Sequence, residues 1–423
     1  MSRGFLHALS TCTAGILAIL TVSAGITAAA DPPAKEQPVA PPAGLTTPPM
    51  TALPLDTTPA APRTPRMWLS IEELLWWIKD GPNPVPEVTT SNTNDEGIIG
   101  RPTTQVLFGG SPLDYGAFNG MRLSGGGWLN SDATLGIQGS GFLLERRSTG
   151  IILNSPGTPG SPLFAVPESV ANTGQQTSLV LTQPGVAFPG VTVSFPGGIA
   201  ISSSTRLWGA EVNGVASLIR GPAFALRLLA GYRFLDLRES LDLTAENDTH
   251  VAVGPVLVDV TNTSNDAFQT HNQFHGGQLG AELEYRRNRW ALLFAAKVAL
   301  GTTHEVLDVR GSSTATTFVG IGGQTFVNTT TTTPGGIFTG NTNIGRTVHN
   351  EFGVVPEAQF DLSYDLRPNL RAWVGYTFLC WSSVIRPGNQ LSQPVINPDP
   401  PPPLFNRSVF WAQGISFGLG LRF

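Results

Sequence analysis

The sequence predicts an all-β transmembrane barrel of about ten antiparallel strands in up-and-down order, possibly twelve. The first observation is the final strand, where one face is apolar and the other is small or polar, as expected of a strand between lipid and lumen. The apolar face contains Trp411, Ile415, Phe417, Leu419, Leu421 and Phe423, with Gln413 as the exception, and the other contains Ala412, Gly414, Ser416, Gly418, Gly420 and Arg422. The alternative is the last strand of a soluble β-domain.

The second observation is the spacing of the alternating segments. They occupy residues 67–79, 117–129, 133–146, 205–217, 223–237, 272–286, 289–303, 349–365, 370–385 and 408–423. The connectors between them alternate strictly between short and long, which is the layout of an outer-membrane barrel with short periplasmic turns and long extracellular loops. A hairpin hidden within 147–204 would raise the number of strands to twelve. The first segment can also be interpreted as a short amphipathic helix.

Composition agrees with a barrel and excludes some partners. Of the 423 residues only 13% are charged, while 48 are Gly and 35 are Pro. The formal net charge is −5 and no long basic run occurs, so we expect no nucleic-acid partner, because phosphate binding needs clustered Lys and Arg.

The N-terminus predicts export. Arg3 precedes an apolar stretch over 15–26, and three alanines end at Ala30, so residues 1–30 are predicted to be a cleaved signal peptide. Residues 31–66 are rich in Pro, Ala and Thr and predict an extended, disordered periplasmic tether. The barrel is assigned to residues 67–423, and its expected location is the cell outer membrane.

Charged residues within the strands fall on the face opposite the large apolar side chains, so we expect them in the lumen. The candidate lumen or constriction residues are Arg122, Glu211, Arg227, Arg233, Glu282, Glu284, Lys297, Glu357 and Asp361. Ten strands enclose a narrow interior, because about eight strands leave just enough width for side chains to fill. Two interpretations stay open: opposite charges pair and plug the barrel, or they line a small pore with an acidic surplus and a cation preference.

Tryptophan and the last strand point to the membrane interface and to insertion. All nine Trp lie near predicted strand ends, as in two aromatic girdles at headgroup level. The predicted girdle contains Trp68, Trp76, Trp77, Trp128, Trp208, Trp290, Trp373, Trp381 and Trp411. The alternating residues Phe417, Leu419, Leu421 and Phe423 resemble the C-terminal signal by which outer-membrane barrels are inserted.

Several short runs resemble a known family, the planctomycete beta-barrel porin family, type seven. They are Glu73-Leu74-Leu75-Trp76-Trp77 with Lys79-Asp80-Gly81-Pro82, the run from Gly231 to Glu239, the run from Asn272 to Gly280, Arg386-Pro387-Gly388-Asn389-Gln390, and Phe410-Trp411-Ala412-Gln413-Gly414. The resemblance spans 67–423 and implies an outer-membrane barrel. It implies little about a solute, and it carries no catalytic residues.

The first functional hypothesis is passive permeation of small polar solutes or ions through a narrow charged lumen. The alternative is a non-conducting structural or surface-interaction barrel that acts through its long loops. An outer-membrane hydrolase using Asp248 with His250, or His304 with Glu305, is the weakest hypothesis, and we expect no enzyme activity, no metal and no cofactor. The expected partners are outer-membrane lipid and the barrel-assembly machinery, the latter through the C-terminal strand, while the sequence leaves the oligomeric state open.

Overall fold

A computed structural model of the protein describes residues 66–396 and 403–423. The predicted signal peptide and all of the tether except Arg66 lie outside the described residues. The strands are β1 (Met67–Ile78), β2 (Pro86–Thr90), β3 (Gln105–Gly109), β4 (Phe118–Trp128), β5 (Leu135–Leu144), β6 (Arg147–Ser155), β7 (Phe164–Val170), β8 (Gln176–Phe188), β9 (Val191–Phe195), β10 (Gly197–Arg220), β11 (Phe224–Val253), β12 (Val256–Arg287), β13 (Trp290–Ile321), β14 (Gln324–Pro334), β15 (Gly345–Arg367), β16 (Leu370–Ile385), β17 (Val395–Ile396) and β18 (Arg407–Arg422), with a 3₁₀ turn at Pro387–Gln390.

Ten of these strands form a closed antiparallel ring in the order β1, β4, β5, β10, β11, β12, β13, β15, β16, β18. The ring closes where β1 pairs with β18, from Trp68 opposite Arg422 to Ile78 opposite Ala412. A closed ring has no free edge, so every ring strand has a neighbour on both sides. The predicted all-β antiparallel barrel is confirmed, and β1 is a strand rather than a helix.

The total number of strands is larger than predicted, because the long connectors are themselves folded into strands. β11 and β12 stay paired from Phe224 opposite Tyr285 to Val253 opposite Val256, so the expected loop over 238–271 is a long ribbon. β13 continues in the same way and pairs with β14 above the barrel. Thr and Val dominate these segments, and β-branched residues favour the extended backbone.

These additions form a second level of structure, which we call the upper tier. It comprises β2, β3, β6, β7, β8, β9, β14 and β17 together with the ends of β10 to β13 that are distant from the short turns. The upper tier has its own core, which includes Val88, Val166, Ile199, Leu241 and Phe268. It therefore packs as a structured cap and not as a set of separate loops.

The ring has an apolar outer face. Exposed large side chains alternate along its strands, with Ile71 48% exposed, Leu123 52%, Leu279 64% and Leu419 51%. In water such a continuous patch would be unusual, whereas lipid is the solvent that accommodates it. Within residues 66–396 and 403–423, no helix has the length and apolar character to cross a membrane.

Candidate functional site: the interior of the barrel

The interior contains three successive layers, starting from the short turns. A wide mouth of about 440 Å³ lies at the short-turn end. Above it lies a charged layer around a smaller cavity of about 170 Å³, lined by residues that include Glu72, Arg122, Glu211, Lys297 and Glu357. An apolar layer then separates the charged layer from the upper tier.

The centre of the charged layer is a four-residue ion cluster. Lys297 Nζ lies 2.5 Å from Glu211 Oε1 and 3.2 Å from Glu357 Oε1. Arg233 Nη2 lies 3.4 Å from Glu211 Oε2 and also pairs with Glu357 Oε2. The four side chains are at most 9% exposed. Each of the two cations thus contacts both carboxylates, so the cluster is neutral. The attraction among the four buried charges offsets the free-energy cost of removing them from water.

Three further groups of contacts complete this layer. Glu72 and Arg122, on the adjacent strands β1 and β4, form a buried pair at 3.3 Å. Among the described residues no cation lies within ion-pair distance of Asp361, which instead accepts hydrogen bonds from Gln359 Nε2 at 3.1 and 2.9 Å. Gln278 bridges Glu211 and Asn213 at 3.0 and 2.9 Å. Most charge in the layer is therefore used for side-chain pairing across the interior.

The mouth is lined by arginines, carboxylates and aromatic rings. Arg227 Nε lies 3.0 Å from Glu282, and Glu284 pairs with Arg286 at 2.7 Å and Arg371 at 2.6 Å. The indoles of Trp68, Trp128 and Trp373 also line the mouth. This end of the interior is open and polar enough to hold water.

The apolar layer closes the interior above the charges. Its residues come from every ring strand and are 8% exposed or less: Leu74, Trp76, Phe118, Phe142, Leu144, Leu207, Leu235, Leu237, Phe274, Ala299, Val355, Leu379, Trp381, Phe410 and Ala412. The rings of Trp76 and Phe142 lie 5.3 Å apart, and those of Phe274 and Trp381 lie 6.0 Å apart. Trp381 Nε1 donates to Thr303 Oγ1 at 2.9 Å. The layer is packed like a protein core.

A buried arginine joins the apolar layer to the upper tier. Arg386 makes a bidentate pair with Glu239 at 2.8 and 2.6 Å. Its Nη1 donates to the carbonyls of Lys79 at 3.0 Å and Asp80 at 2.6 Å, and its guanidinium lies over the ring of Phe410. Arg386 thus ties the loop before β17 to the end of β1 and to the middle of β11.

The predicted site residues can now be located. The nine candidate lumen residues all lie on the inner face, on the strand positions that alternate with the exposed apolar ones. The four residues of the insertion signal lie on the outer face and are 45–61% exposed. Whether they guide insertion stays a prediction.

The girdle prediction needs correction for five tryptophans. Trp68, Trp128 and Trp373 line the mouth, while Trp76 and Trp381 are fully buried in the apolar layer. Only Trp77, Trp208, Trp290 and Trp411 share the outer face of their strands. The physical reason is that this narrow interior is itself packed with large rings, so an aromatic residue near a strand end does not indicate an interface position.

Sequence reasoning missed several interior polar residues, among them Glu72, Gln278, Arg286 and Arg371. The alternation of β1 does not reveal the inward position of Glu72, because β1 is apolar on both faces. Leu74 and Trp76 lie on the same side of the strand as Glu72. The alternation that places Glu284 inside also places Arg286 inside, and this signal could have found it. Arg371 could likewise have been found from its phase with Trp373, had that ring been assigned to the interior.

The His–carboxylate pairs considered for hydrolysis do not converge. His250 Nδ1 lies 2.7 Å from Asp259 rather than bonding Asp248, and His304 Nδ1 bonds Asn350 at 2.8 Å. Both contacts join neighbouring strands. The absence of enzyme activity stays a prediction.

A closed antiparallel ring with an apolar outer face and a filled polar-and-apolar interior defines an outer-membrane β-barrel protein. The family described as "Putative beta barrel porin-7 (BBP7)" matches residues 68–423, and the chain belongs to this family. The resemblance to this family is therefore confirmed, and the protein belongs to the outer membrane. No curated protein matches the sequence.

The solved structures to which the chain is similar resemble it only at low identity and low TM-score. The outer membrane protease OmpT from Escherichia coli is 10% identical, with 88% of this chain and 99% of that chain covered and a TM-score of 0.38. The CymD monoaromatic hydrocarbon channel is 8% identical, with 85% and 89% covered and a TM-score of 0.21. The toluene transporter TodX of P. putida is 8% identical, with 86% and 91% covered and a TM-score of 0.18. At these scores the likenesses carry no conclusion about activity.

Proposed function

We propose that the protein is a non-conducting outer-membrane barrel that acts at the cell surface through its upper tier. The observation that carries this proposal is the apolar layer, in which Trp76, Phe274 and Trp381 are 0% exposed. An ion crossing it would have to leave water and pass a dry region without partners, which is strongly unfavourable. The charges below the layer are largely neutralised by one another, as in a structural core.

The upper tier offers the working surface in this proposal. It exposes large apolar side chains, with Ile152 73%, Phe188 66% and Phe326 63% exposed. In the hairpin that carries Phe326, β13 and β14 also bear a threonine ladder in which Thr314 faces Thr332. A structured platform with exposed apolar side chains and hydroxyl groups suits contact with another surface component of the envelope, whereas it adds nothing to permeation.

Permeation of small polar solutes or ions remains a second candidate, because one observation favours it. The mouth and the cavity of the charged layer share Glu282 and Asp361 as lining residues, so they form one polar path from the short-turn side up to the apolar layer. If the apolar layer opens, the carboxylates along this path would give a preference for cations.

The test is single-channel recording of the refolded protein in a planar bilayer. We expect the native barrel to be silent and the double variant Trp76→Ala/Trp381→Ala to conduct in small steps, because it removes two rings from the apolar layer. The control is Trp290→Ala, which truncates an outward indole that is 52% exposed and should stay silent. Discrete native steps with a cation bias that Glu357→Gln reduces would contradict the proposal and support permeation.

A further inference from the structure

One carboxylate lies on the lipid-facing side of the barrel. Glu73 follows Met67 by six residues and precedes Ile78 by five, so it is near the middle of β1. Its cross-strand neighbours on the outer face are Met121 on β4 and Phe417 on β18. Among the outward positions of β1, β4 and β5, Glu73 is the only ionisable side chain.

Glu73 has no hydrogen bond or ion pair with any of the described residues. Met121 is 46% exposed and Phe417 is 53% exposed, so its surroundings form a continuous apolar surface. The contrast with the preceding residue is sharp, because Glu72 faces inward and pairs with Arg122 at 3.3 Å. A polar group in lipid without a partner is unfavourable, and ionisable residues at such positions generally mark a function.

The same face of the barrel carries a bare patch on β5, two strands from β1. Gly141 and Gly139 face outward there and, through Leu123 and Gly125 of β4, lie level with Ile71 and Leu69, one and two outward positions nearer to Met67 than Glu73. A Cβ at Gly139 or Gly141 would meet its nearest atom at 3.5 or 3.7 Å, which is ordinary contact. The packing of the barrel itself therefore does not require glycine at these positions, whereas close approach of another protein surface in the membrane would favour it.

We propose that this face, formed by β1, β4 and β5, binds a second copy of the chain so that the two Glu73 carboxyl groups meet at a two-fold axis. A carboxyl group that keeps its proton both donates and accepts a hydrogen bond, so it is complementary to an identical group. A two-fold interface brings the same residue of each copy together at the axis. A lipid acyl chain offers no hydrogen bond at this depth.

The experiment measures dimer formation by energy transfer between two differently labelled pools of the full mature chain in lipid vesicles, over a range of protein-to-lipid ratios. We expect the native chain to dimerise, and Glu73→Leu and Gly139→Leu each to raise the dissociation constant about tenfold, which matches the loss of one intramembrane hydrogen bond or of close packing. The matched control is Gly277→Leu, on the outer face of β12, where a Cβ meets nothing within 4 Å. It should dimerise like the native chain.

Folding is followed in parallel by the heat-dependent shift in electrophoretic mobility. Glu73→Leu should keep this shift, since it replaces a polar side chain on the lipid face with an apolar one. A native chain that stays monomeric at every ratio would overturn the proposal, and so would Glu73→Leu dimerising as well as the native chain. The first result would assign the face to lipid or to a different protein.

Discussion

Replacing Lys297 by Met should destabilise the barrel by about 3–5 kcal/mol, the cost typical of breaking a buried ion network by removing one member. Lys297 contacts Glu211 and Glu357 at 2.5 and 3.2 Å, and its side chain is 9% exposed. Without it, Arg233 alone faces two buried carboxylates. Because the cluster is neutral in the native protein, the variant leaves one uncompensated negative charge in the interior.

The measurement is urea unfolding of the barrel in vesicles, followed by the fluorescence of its nine tryptophans. The double variant Lys297→Met/Glu211→Gln restores neutrality, so it should recover about 1–3 kcal/mol relative to the sum of the two single changes. Arg310→Met is the control, because Arg310 pairs with Asp308 at 2.8 Å but is 65% exposed, and exposed pairs contribute about 0–1 kcal/mol. A loss for Lys297→Met no larger than the loss for Arg310→Met would refute the reasoning, as would strict additivity in the double variant.

Two further predictions concern the upper tier. Arg386→Ala should lower the free energy of unfolding by about 3–5 kcal/mol, because it leaves Glu239 buried without its bidentate partner. It should also speed hydrogen exchange in the turn at Pro387–Gln390. Arg386→Lys should not restore the native exchange rate, since a lysine cannot reproduce the two parallel hydrogen bonds. Burial raises the pKa of Glu87 to about 8, so the folded tier binds its proton more tightly than the unfolded chain, and the stability contributed by the protonated group is lost as pH rises from about 4 to about 8. Protease resistance of the tier should therefore fall between about pH 5 and about pH 8 in the native protein but not in Glu87→Gln. An equal fall in both would exclude Glu87 as the cause.

The sequence predicts the ring well because lipid enforces a simple rule on one face. In β11 the outward Leu226, Leu228 and Phe234 alternate with the inward Arg227 and Arg233. Such a period of two can be recognised in a sequence whenever one face of the strand meets lipid and the other meets a polar interior. The same rule gives the inward position of all nine candidate lumen residues. It says nothing about the connectors, whose strands form by extending the ladders of β11 to β13 beyond the membrane.

The rule fails where the interior is apolar too. Leu74 and Trp76 point inward from β1 while Leu75 and Trp77 point outward, so composition cannot distinguish the two faces there. The predicted girdle included Trp76 and Trp381 for the same reason. The apolar layer that closes the barrel is visible only when the strands are assembled, because each strand contributes one or two of its members.

Glu72 and Glu73 show that the position of a residue in the alternation of a strand decides whether its side chain faces the interior or the lipid. They are the same residue type, adjacent in one strand, yet one is 4% exposed beside Arg122 and the other faces outward between Met121 and Phe417. A shift of one residue in the pairing of β1 would turn Glu72 outward and Glu73 inward, and it would place either Ile71 or Glu73 opposite Arg122. The observed register, with Glu72 beside Arg122, is therefore the one that holds the Glu73 carboxyl in the membrane. Glu72→Leu should accordingly weaken the barrel, whereas Glu73→Leu should not, which a single urea titration of the two variants would decide.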